Sequence, residues 1–313
     1  MLYVIAEHRV RVSFLDDYQD AKMLSSFVSF QTDDDGSAVL LDITVDDSLR
    51  PVKKEERYLI RDVDTGNGMT KVFRVEKEID GQKQKAGYQF IIRDIDGHEV
   101  ALLIADEDFH VCKCALRGNY GMRSYGLNSV IMLCYAFATA PLDTCLIHAS
   151  LVRNDGKGYA FTAKSGTGKS TQVSNWLRFI PGSDLMNDDN PVVRIIDGKA
   201  FIYGSPWSGK TPCYRNIKAP LGGIALIKRA ESNSLERLRP IDAFITLLPA
   251  CSTMKWDERI YRCNGDTVTK MIETTPVYTL HCLPDRDSAV VASTGMKKDK
   301  KRAEGPTPNR AVR

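Results

Sequence analysis

The sequence predicts an α/β fold of α+β character, in which a mixed-sheet domain with a phosphate-binding loop follows a β-rich amino-terminal region. Strand-like segments joined by Asp-Gly turns dominate the first part of the 313-residue chain, and strand and helix patterns mix in the second. A glycine-rich loop at 163–170 stands between a strand pattern and a helix pattern. We therefore expect a β-rich region over 1–120, a phosphate-loop domain over 121–295 and a disordered basic tail over 296–313.

Composition narrows the class of protein. Hydrophobic residues make up 43% of the chain and charged residues 27%, which is typical of soluble globular proteins. The chain has no apolar run of 18 residues and no signal-peptide pattern, so we expect a cytoplasmic protein without a membrane span. The basic tail carries a net charge of +5, which leaves −2 for the rest, so no nucleic-acid partner is expected.

The eight cysteines show no metal-binding spacing. No C-x-x-C pair occurs, and Cys112 and Cys114 stand at the spacing of two residues that share one face of a strand. Free buried thiols of a reducing compartment are therefore expected, and a zinc site is not.

The amino-terminal region should form a strand meander. Its predicted strands cover 2–6, 10–15, 38–45, 57–62, 71–79, 86–95 and 98–105. Asp-Gly pairs at 80–81 and 96–97 link the last three strands, and such pairs supply the positive φ of tight hairpins. We find no catalytic constellation here, and we interpret His8, His98 and His110 as surface or strand histidines.

The second half mixes strands and helices. A largely apolar helix over 123–139, stopped by Pro141, should be buried. Strands are predicted at 144–152, 158–163, 184–190, 192–196, 199–204, 222–228 and 276–283, and further helices at 169–179, 240–249 and 265–274.

The loop, within AFTAKSGTGKST (160–171), is close to the phosphate-loop pattern G-x-x-x-x-G-K-[S/T]. Gly168, Lys169 and Ser170 match, whereas Ala163 stands at the first glycine. That position lies at a strand end, where a small residue is tolerated if its φ is negative.

Each part of the loop has a predicted task. The glycines let successive N–H groups point at an anion, and the following helix adds its positive end. Lys169 would neutralise the β- and γ-phosphates, and the Ser170 hydroxyl would bind Mg²⁺. The residues expected to bind nucleotide are Ser165, Gly166, Thr167, Gly168, Lys169, Ser170 and Thr171.

An acidic pair, Asp188-Asp189, ends the short strand pattern after the loop helix. One carboxylate could bind Mg²⁺ and the other could accept a proton from an attacking hydroxyl. The structural alternative is a polar turn, with Asn190, closed by an Asx cap. Asp184 is a weaker candidate and is interpreted as a turn residue.

His148 falls inside the apolar strand predicted at 144–152, which should pair by a hairpin with the strand that leads into the loop. It could shuttle protons or donate to a γ-phosphate oxygen. A satisfied core histidine is the alternative.

A further loop at 205–216 carries Trp207, Lys210 and Arg215. The two cations could stabilise a transferring phosphoryl group, and the indole could stack on a base. The alternative is a packed loop with an anchoring tryptophan.

The order of these motifs resembles the catalytic domain of HPr kinase/phosphorylase, whose fold is related to that of the phosphoenolpyruvate carboxykinases. His148-Ala149, the loop at 163–170 and Asp188-Asp189 carry the resemblance, which covers about 143–230. It implies ATP and Mg²⁺ as cofactors and a serine or other hydroxyl as the acceptor, on a protein or a small molecule. It also implies a base role for Asp188 and a metal contact for Asp189. For a kinase of this kind we expect His148 and Lys169 to assist. Homo-oligomers are common in this family.

The chain departs from the family pattern in several places. Ala163 and Ala149 replace glycines, and Thr171 stands where the family commonly has an acidic residue. The carboxy-terminal signature of phosphorolysis is not found, so neither HPr as substrate nor the reverse reaction is expected.

Two other functions fit the same residues. A carboxykinase-like enzyme for a small oxo-acid would need more histidines and basic residues than the sequence offers. Ala163 and the missing signature favour a nucleotide-binding regulatory protein without turnover, whereas the retained pair Asp188-Asp189 argues against it.

Overall fold

A computed structural model describes residues 1–15 and 19–298. In those ranges the protein has two mixed β-sheets and five α-helices. The predicted α/β class with mixed sheets is confirmed.

The amino-terminal sheet has eight strands, and all predicted strands of this region are present with shifted ends. The strands are β1 (Leu2–Ile5), β2 (His8–Phe14), β3 (Leu41–Val45), β4 (Arg57–Asp64), β5 (Met69–Ile79), β6 (Gln82–Arg93), β7 (Glu99–Ala105) and β8 (Val111–Leu116). Their order is β1-β2-β3-β8-β7-β6-β5-β4. The pairs β2–β3 and β3–β8 are parallel, and the long hairpins are antiparallel. A 3-10 helical segment at Gln19–Phe30, interrupted by a kink at Leu24, follows β2 and was not predicted from the sequence.

The Asp-Gly turns behave as predicted at the first hairpin and in part at the second. Asp80 and Gly81 both have positive φ, of 52° and 76°, as a tight hairpin requires. At the second turn, Asp96-Gly97, only Gly97 has a positive φ, of 86°.

Helix α1 (Tyr120–Thr139) packs on the amino-terminal sheet. Asn119 caps its start by accepting a hydrogen bond from the N–H of Met122 at 3.1 Å. The segment Tyr120–Leu142 is long and apolar enough to cross a membrane, but it is mostly buried as a core helix. One hydrophobic core joins it to the sheet.

The second sheet holds the remaining nine strands. They are β9 (Thr144–Leu146), β10 (Ala149–Asn154), β11 (Lys157–Thr162), β12 (Asp184–Asp189), β13 (Val192–Ile196), β14 (Lys199–Tyr203), β15 (Lys218–Arg229), β16 (Ser234–Arg237) and β17 (Val277–Cys282). Strand β15 joins the two parts of this sheet. Its first residues pair antiparallel with β14, and the rest lies parallel to β11 and β17.

Four helices accompany this sheet: α2 (Lys169–Phe179), α3 (Pro240–Leu247), α4 (Glu258–Thr274) and α5 (Arg286–Lys298). Helix α2 has the predicted bounds, whereas α4 starts earlier than predicted and α5 and β16 were not predicted. Helix α5 extends into the predicted basic tail, where Met296 is buried in the core. The rest of that tail, 299–313, lies outside the described residues.

The strand predicted at 144–152 is interrupted, and the prediction that His148 lies inside it is wrong. The chain pairs with β13 up to Leu146 and with β11 and β12 from Ala149 onward. Between them, Ile147 bridges to Cys251 and the His148 N–H donates to the carbonyl of Ala250 at 2.8 Å. The change of partner strand causes the break, and local sequence does not encode it.

Candidate functional site

One edge of the second sheet gathers the predicted site residues. Strand β11 runs towards this edge and leads into the glycine loop, while β10 starts there and β12 ends there. Ala149 pairs with Thr162 on one side and with Asp189 on the other. The antiparallel pairing of β10 with both neighbours therefore brings His148, the loop and the acidic pair together.

The glycine loop adopts a conformation that suits an anion. Gly166 and Gly168 have φ values of 75° and 131°, in a region that favours glycine. Gly168 directly precedes α2, so the positive end of that helix opens into the loop. Ala163 lies outside the positive-φ region, which confirms that alanine fits there.

Arg229, at the end of β15, holds the loop from outside. Its guanidinium donates to the carbonyls of Gly166 at 2.6 Å and of Thr167 at 3.1 Å. Sequence reasoning missed this residue, because its role depends on the parallel pairing of β11 with β15.

A chain of hydrogen bonds joins Lys169, His148 and Asp189. Lys169 Nζ lies 2.9 Å from His148 Nε2, and His148 Nδ1 lies 3.1 Å from Asp189 Oδ1. An ammonium group only donates, so Nε2 accepts and Nδ1 carries the hydrogen that faces Asp189. The His148 side chain is 43% exposed, so it is not a satisfied core histidine.

Lys169 also donates to the carbonyl of Ala163 at 3.1 Å. Burial lowers the pKa of Lys169, although the nearby charges of Asp189 and Asp188 act in the opposite direction. The ammonium group is thus partly desolvated at the mouth of the loop.

Asp188 faces the other half of the site and is buried. Its Oδ1 accepts hydrogen bonds from Ser150 Oγ at 2.7 Å and from Ser170 Oγ at 2.9 Å. Its Oδ2 accepts from the Thr211 N–H at 3.2 Å. Adjacent strand residues point in opposite directions, and the two carboxylates accordingly serve different partners.

Asn187 fixes the end of β12 and is fully buried. Its Oδ1 accepts from the N–H groups of Asp189 and Asn190, both at 3.0 Å, and so forms an Asx cap. Its Nδ2 donates to Ser205 Oγ at 3.1 Å and to the Trp207 carbonyl at 3.0 Å. The signal in the sequence was the polar run 187–190, which we interpreted through its two carboxylates rather than through Asn187.

The tryptophan of the 205–216 loop is an anchor. Trp207 is buried, and its ring centroid lies 5.8 Å from that of Phe27 and 5.4 Å from that of Tyr135. The expectation that it could stack on a base is therefore wrong, because its ring belongs to the core.

Arg215 is engaged in an ion pair. It contacts the carboxylate of Asp184 at 2.6 Å, and Arg153 donates to both oxygens of that carboxylate at 2.9 and 2.8 Å. Asp184 is therefore an ion-paired strand residue rather than a turn residue, and Arg215 is already committed to it.

The remaining candidates lie elsewhere. All eight cysteines are free, and all but Cys263 are buried, as predicted. Among the described residues, Asp94, Asp96 and His98 form the one cluster of three side chains that could share a metal, in a largely exposed turn. A cavity of about 590 Å³ between β5, β6 and the start of α4 is lined by none of the predicted site residues.

Comparisons with known proteins add little. No family model matches the chain, and no curated protein matches it in sequence. Among solved structures, the Hpr(Ser) kinase/phosphatase from Coxiella burnetii is 13% identical, with a TM-score of 0.31. The match covers 51% of this chain and 99% of that one. The similarity is distant, and the function proposed below does not depend on it.

Proposed function

We propose that the protein is an ATP- and Mg²⁺-dependent kinase that transfers the γ-phosphoryl group to a hydroxyl of a protein serine or a small molecule. One observation carries the proposal. At a single sheet edge, the loop serine contacts one carboxylate of the acidic pair, and the loop lysine contacts a histidine that is paired with the other.

The residues around Ser170 fit Mg²⁺. A hydroxyl and a carboxylate supply oxygen ligands of the kind this cation prefers, and Ser170 Oγ lies 2.9 Å from Asp188 Oδ1. Ser170 would bind the ion, and Asp188 would hold Ser170 and the water ligands. Bound Mg²⁺ would neutralise charge on the phosphates.

The loop fits the phosphates of a nucleotide. Its two positive-φ glycines and the start of α2 present N–H groups to an anion. Lys169 already stands at the mouth of the loop, against the carbonyl of Ala163. When a nucleotide is bound, the ammonium group of Lys169 would leave His148 and bind the phosphate oxygens.

The contacts favour an exchange of the two carboxylate roles predicted from the sequence. Asp188 is buried and accepts three hydrogen bonds, which leaves it poorly placed to take a proton. Asp189 is paired with His148, whose Nε2 becomes free once Lys169 has moved. We therefore assign the metal side to Asp188 and the proton-accepting side to His148, oriented by Asp189.

In the proposed reaction the acceptor oxygen forms a bond to the γ-phosphorus as the bond from that phosphorus to the bridging oxygen of ADP breaks. The hydroxyl proton passes to His148 Nε2, and Asp189 stabilises the resulting imidazolium. Such general-base assistance is worth about 10²–10⁴-fold in rate.

The test is incubation of the protein with γ-labelled ATP and a native cell extract. The proposal predicts a discrete labelled acceptor, and its loss with Lys169→Met and with Asp189→Asn. ATP binding without a labelled acceptor would instead support the regulatory alternative.

A further inference from the structure

We infer that Lys210 is a second cation for the γ-phosphate, presented by a short turn at residues 208–211 that is docked on the acidic pair. The inference rests on the proposed function, because it needs a nucleotide in the glycine loop. A contact between Lys210 and the γ-phosphate would distinguish a nucleoside triphosphate from a diphosphate.

Backbone hydrogen bonds from the residues on both sides of Lys210 hold the turn against Asp188. The Gly209 N–H donates to the Asp188 carbonyl at 3.0 Å, and the Thr211 N–H donates to Asp188 Oδ2 at 3.2 Å. Ser208 forms a β-bridge with Asp189. Lys210 therefore stands beside the carboxylate that also contacts the Ser170 hydroxyl.

Gly209 allows this close approach. A Cβ at that position would lie 2.7 Å from the Asp188 carbonyl oxygen and 3.5 Å from Asp189 Cβ. The first contact is with backbone, which cannot move aside as a flexible side chain does. The turn is also closed by Ser208 Oγ, which donates to the Thr211 carbonyl at 2.7 Å.

Lys210 is the cation of this turn that stays available. Its side chain is exposed, and it makes no hydrogen bond or ion pair with any described residue. A lysine side chain reaches roughly 6 Å from its Cα, five bonds of about 1.5 Å each. The flanking N–H groups hold the Lys210 backbone next to Asp188, so a side chain of this length can extend to a phosphate bound beside that carboxylate.

The charges around the site give this cation a task. Asp188 and Asp189 place two carboxylates where a γ-phosphate would lie, and like charges repel. Arg229 is bonded to loop carbonyls, and Arg215 is paired with Asp184. Lys210 would offset the repulsion and stabilise charge on the transferring group.

Lys228 is a less suitable source of that charge, although it is also exposed. It lies on β15, which β11 and β10 separate from the acidic end of β12. Both lysines are exposed, so the position of the 208–211 turn beside Asp188 is what favours Lys210.

The experiment compares dissociation constants of Mg²⁺ with a non-hydrolysable ATP analogue and of Mg²⁺ with ADP. For Lys210→Ala we expect about tenfold weaker binding of the analogue and a change of less than about twofold for ADP. Lys210→Arg should keep most of the affinity. Gly209→Ala, which lifts the turn from Asp188, should reproduce the selective loss.

The control is Lys199→Ala, at an exposed lysine at the start of β14, which should leave both constants unchanged. Wild-type affinities for both nucleotides in Lys210→Ala, or an equal loss for both, would overturn the inference and leave the proposed function standing. A wild-type protein that binds neither nucleotide would overturn both. Should Gly209→Ala not fold, Lys210→Ala and Lys210→Arg decide the question.

Discussion

The carboxylate of Asp188 accepts a hydrogen bond from the hydroxyl of Ser170 at 2.9 Å. Its neighbour Asp189 points to His148 instead, at 3.1 Å. The two carboxylates of the acidic pair therefore have different partners, and the proposed function assigns one to a metal side and the other to a proton-accepting side.

The first prediction separates the two carboxylates. Asp188→Asn should raise the Mg²⁺ concentration needed for nucleotide binding, because the support for Ser170 is weakened. Asp189→Asn should leave Mg²⁺–ATP affinity within about twofold and lower transfer about 10²-fold, because His148 loses its orienting partner. Titration of Mg²⁺ in a binding assay, alongside transfer rates, measures both effects. The reverse pattern would restore the roles predicted from the sequence.

The second prediction concerns Lys169. Burial lowers its pKa, so the folded state disfavours the protonated form and the wild-type protein gains stability as pH rises through that pKa towards the ordinary value. Lys169→Met should lose nucleotide binding yet be at least as stable as wild type at neutral pH. Any excess in stability of Lys169→Met over wild type should shrink at alkaline pH. Melting curves of both proteins, recorded from neutral to alkaline pH, measure this. A melting temperature well below wild type at pH 7 would contradict this account.

The third prediction concerns His8, which is buried with Nε2 at 3.0 Å from Thr144 Oγ1. Burial, with a smaller contribution from Arg194, lowers the pKa of His8 to about 4 from its ordinary 6.5. The stabilising contribution of neutral His8 is thus fully present above pH 6.5 and is lost as pH falls towards 4. Relative to His8→Gln, wild type should lose about 3 kcal/mol of unfolding free energy over that window. The measurement is a series of denaturant titrations across that pH range. If the unfolding free energies of wild type and His8→Gln changed in parallel with pH, a pKa of His8 lowered by burial would be contradicted.

A fourth prediction concerns Asn187, which binds the end of β12 to the 205–216 loop. Asn187→Ala would leave buried backbone groups unpaired, at a cost of about 2 kcal/mol in unfolding free energy. Transfer should fall further than ADP affinity, because Asp189 loses its fixed position while the glycine loop keeps its own. Unchanged stability in denaturant titrations would show that other groups satisfy these partners.

The local features of the fold could be predicted from the sequence, whereas the points at which the chain changes its neighbouring strand could not. Helix α2 has the predicted bounds because the glycine loop fixes its start. The strands on both sides of the Asp80-Gly81 turn follow from turn chemistry and strand pattern. The break at His148 was missed because it reflects a change of neighbouring strand. Helix α5 was missed because its polar sequence is stabilised by packing on α2 and β16.

The candidate site shows the same division. Loop, histidine and acidic pair were found because each stands in a short motif, and the sheet brings them to one edge. Which carboxylate faces which partner depends on the direction of side chains at the end of β12. Arg229 and Asn187 act through contacts with chain segments distant in sequence, so no motif marks them.

The central claim is tested most directly by the structure of the protein with Mg²⁺ and a non-hydrolysable ATP analogue. The account predicts the ion on Ser170 with Asp188 beside it, and Lys169 transferred from His148 to the phosphates. It also predicts the γ-phosphate facing His148 and Asp189. Phosphates bound away from the 163–170 loop, or an ion held by Asp189 with Lys169 still on His148, would contradict it.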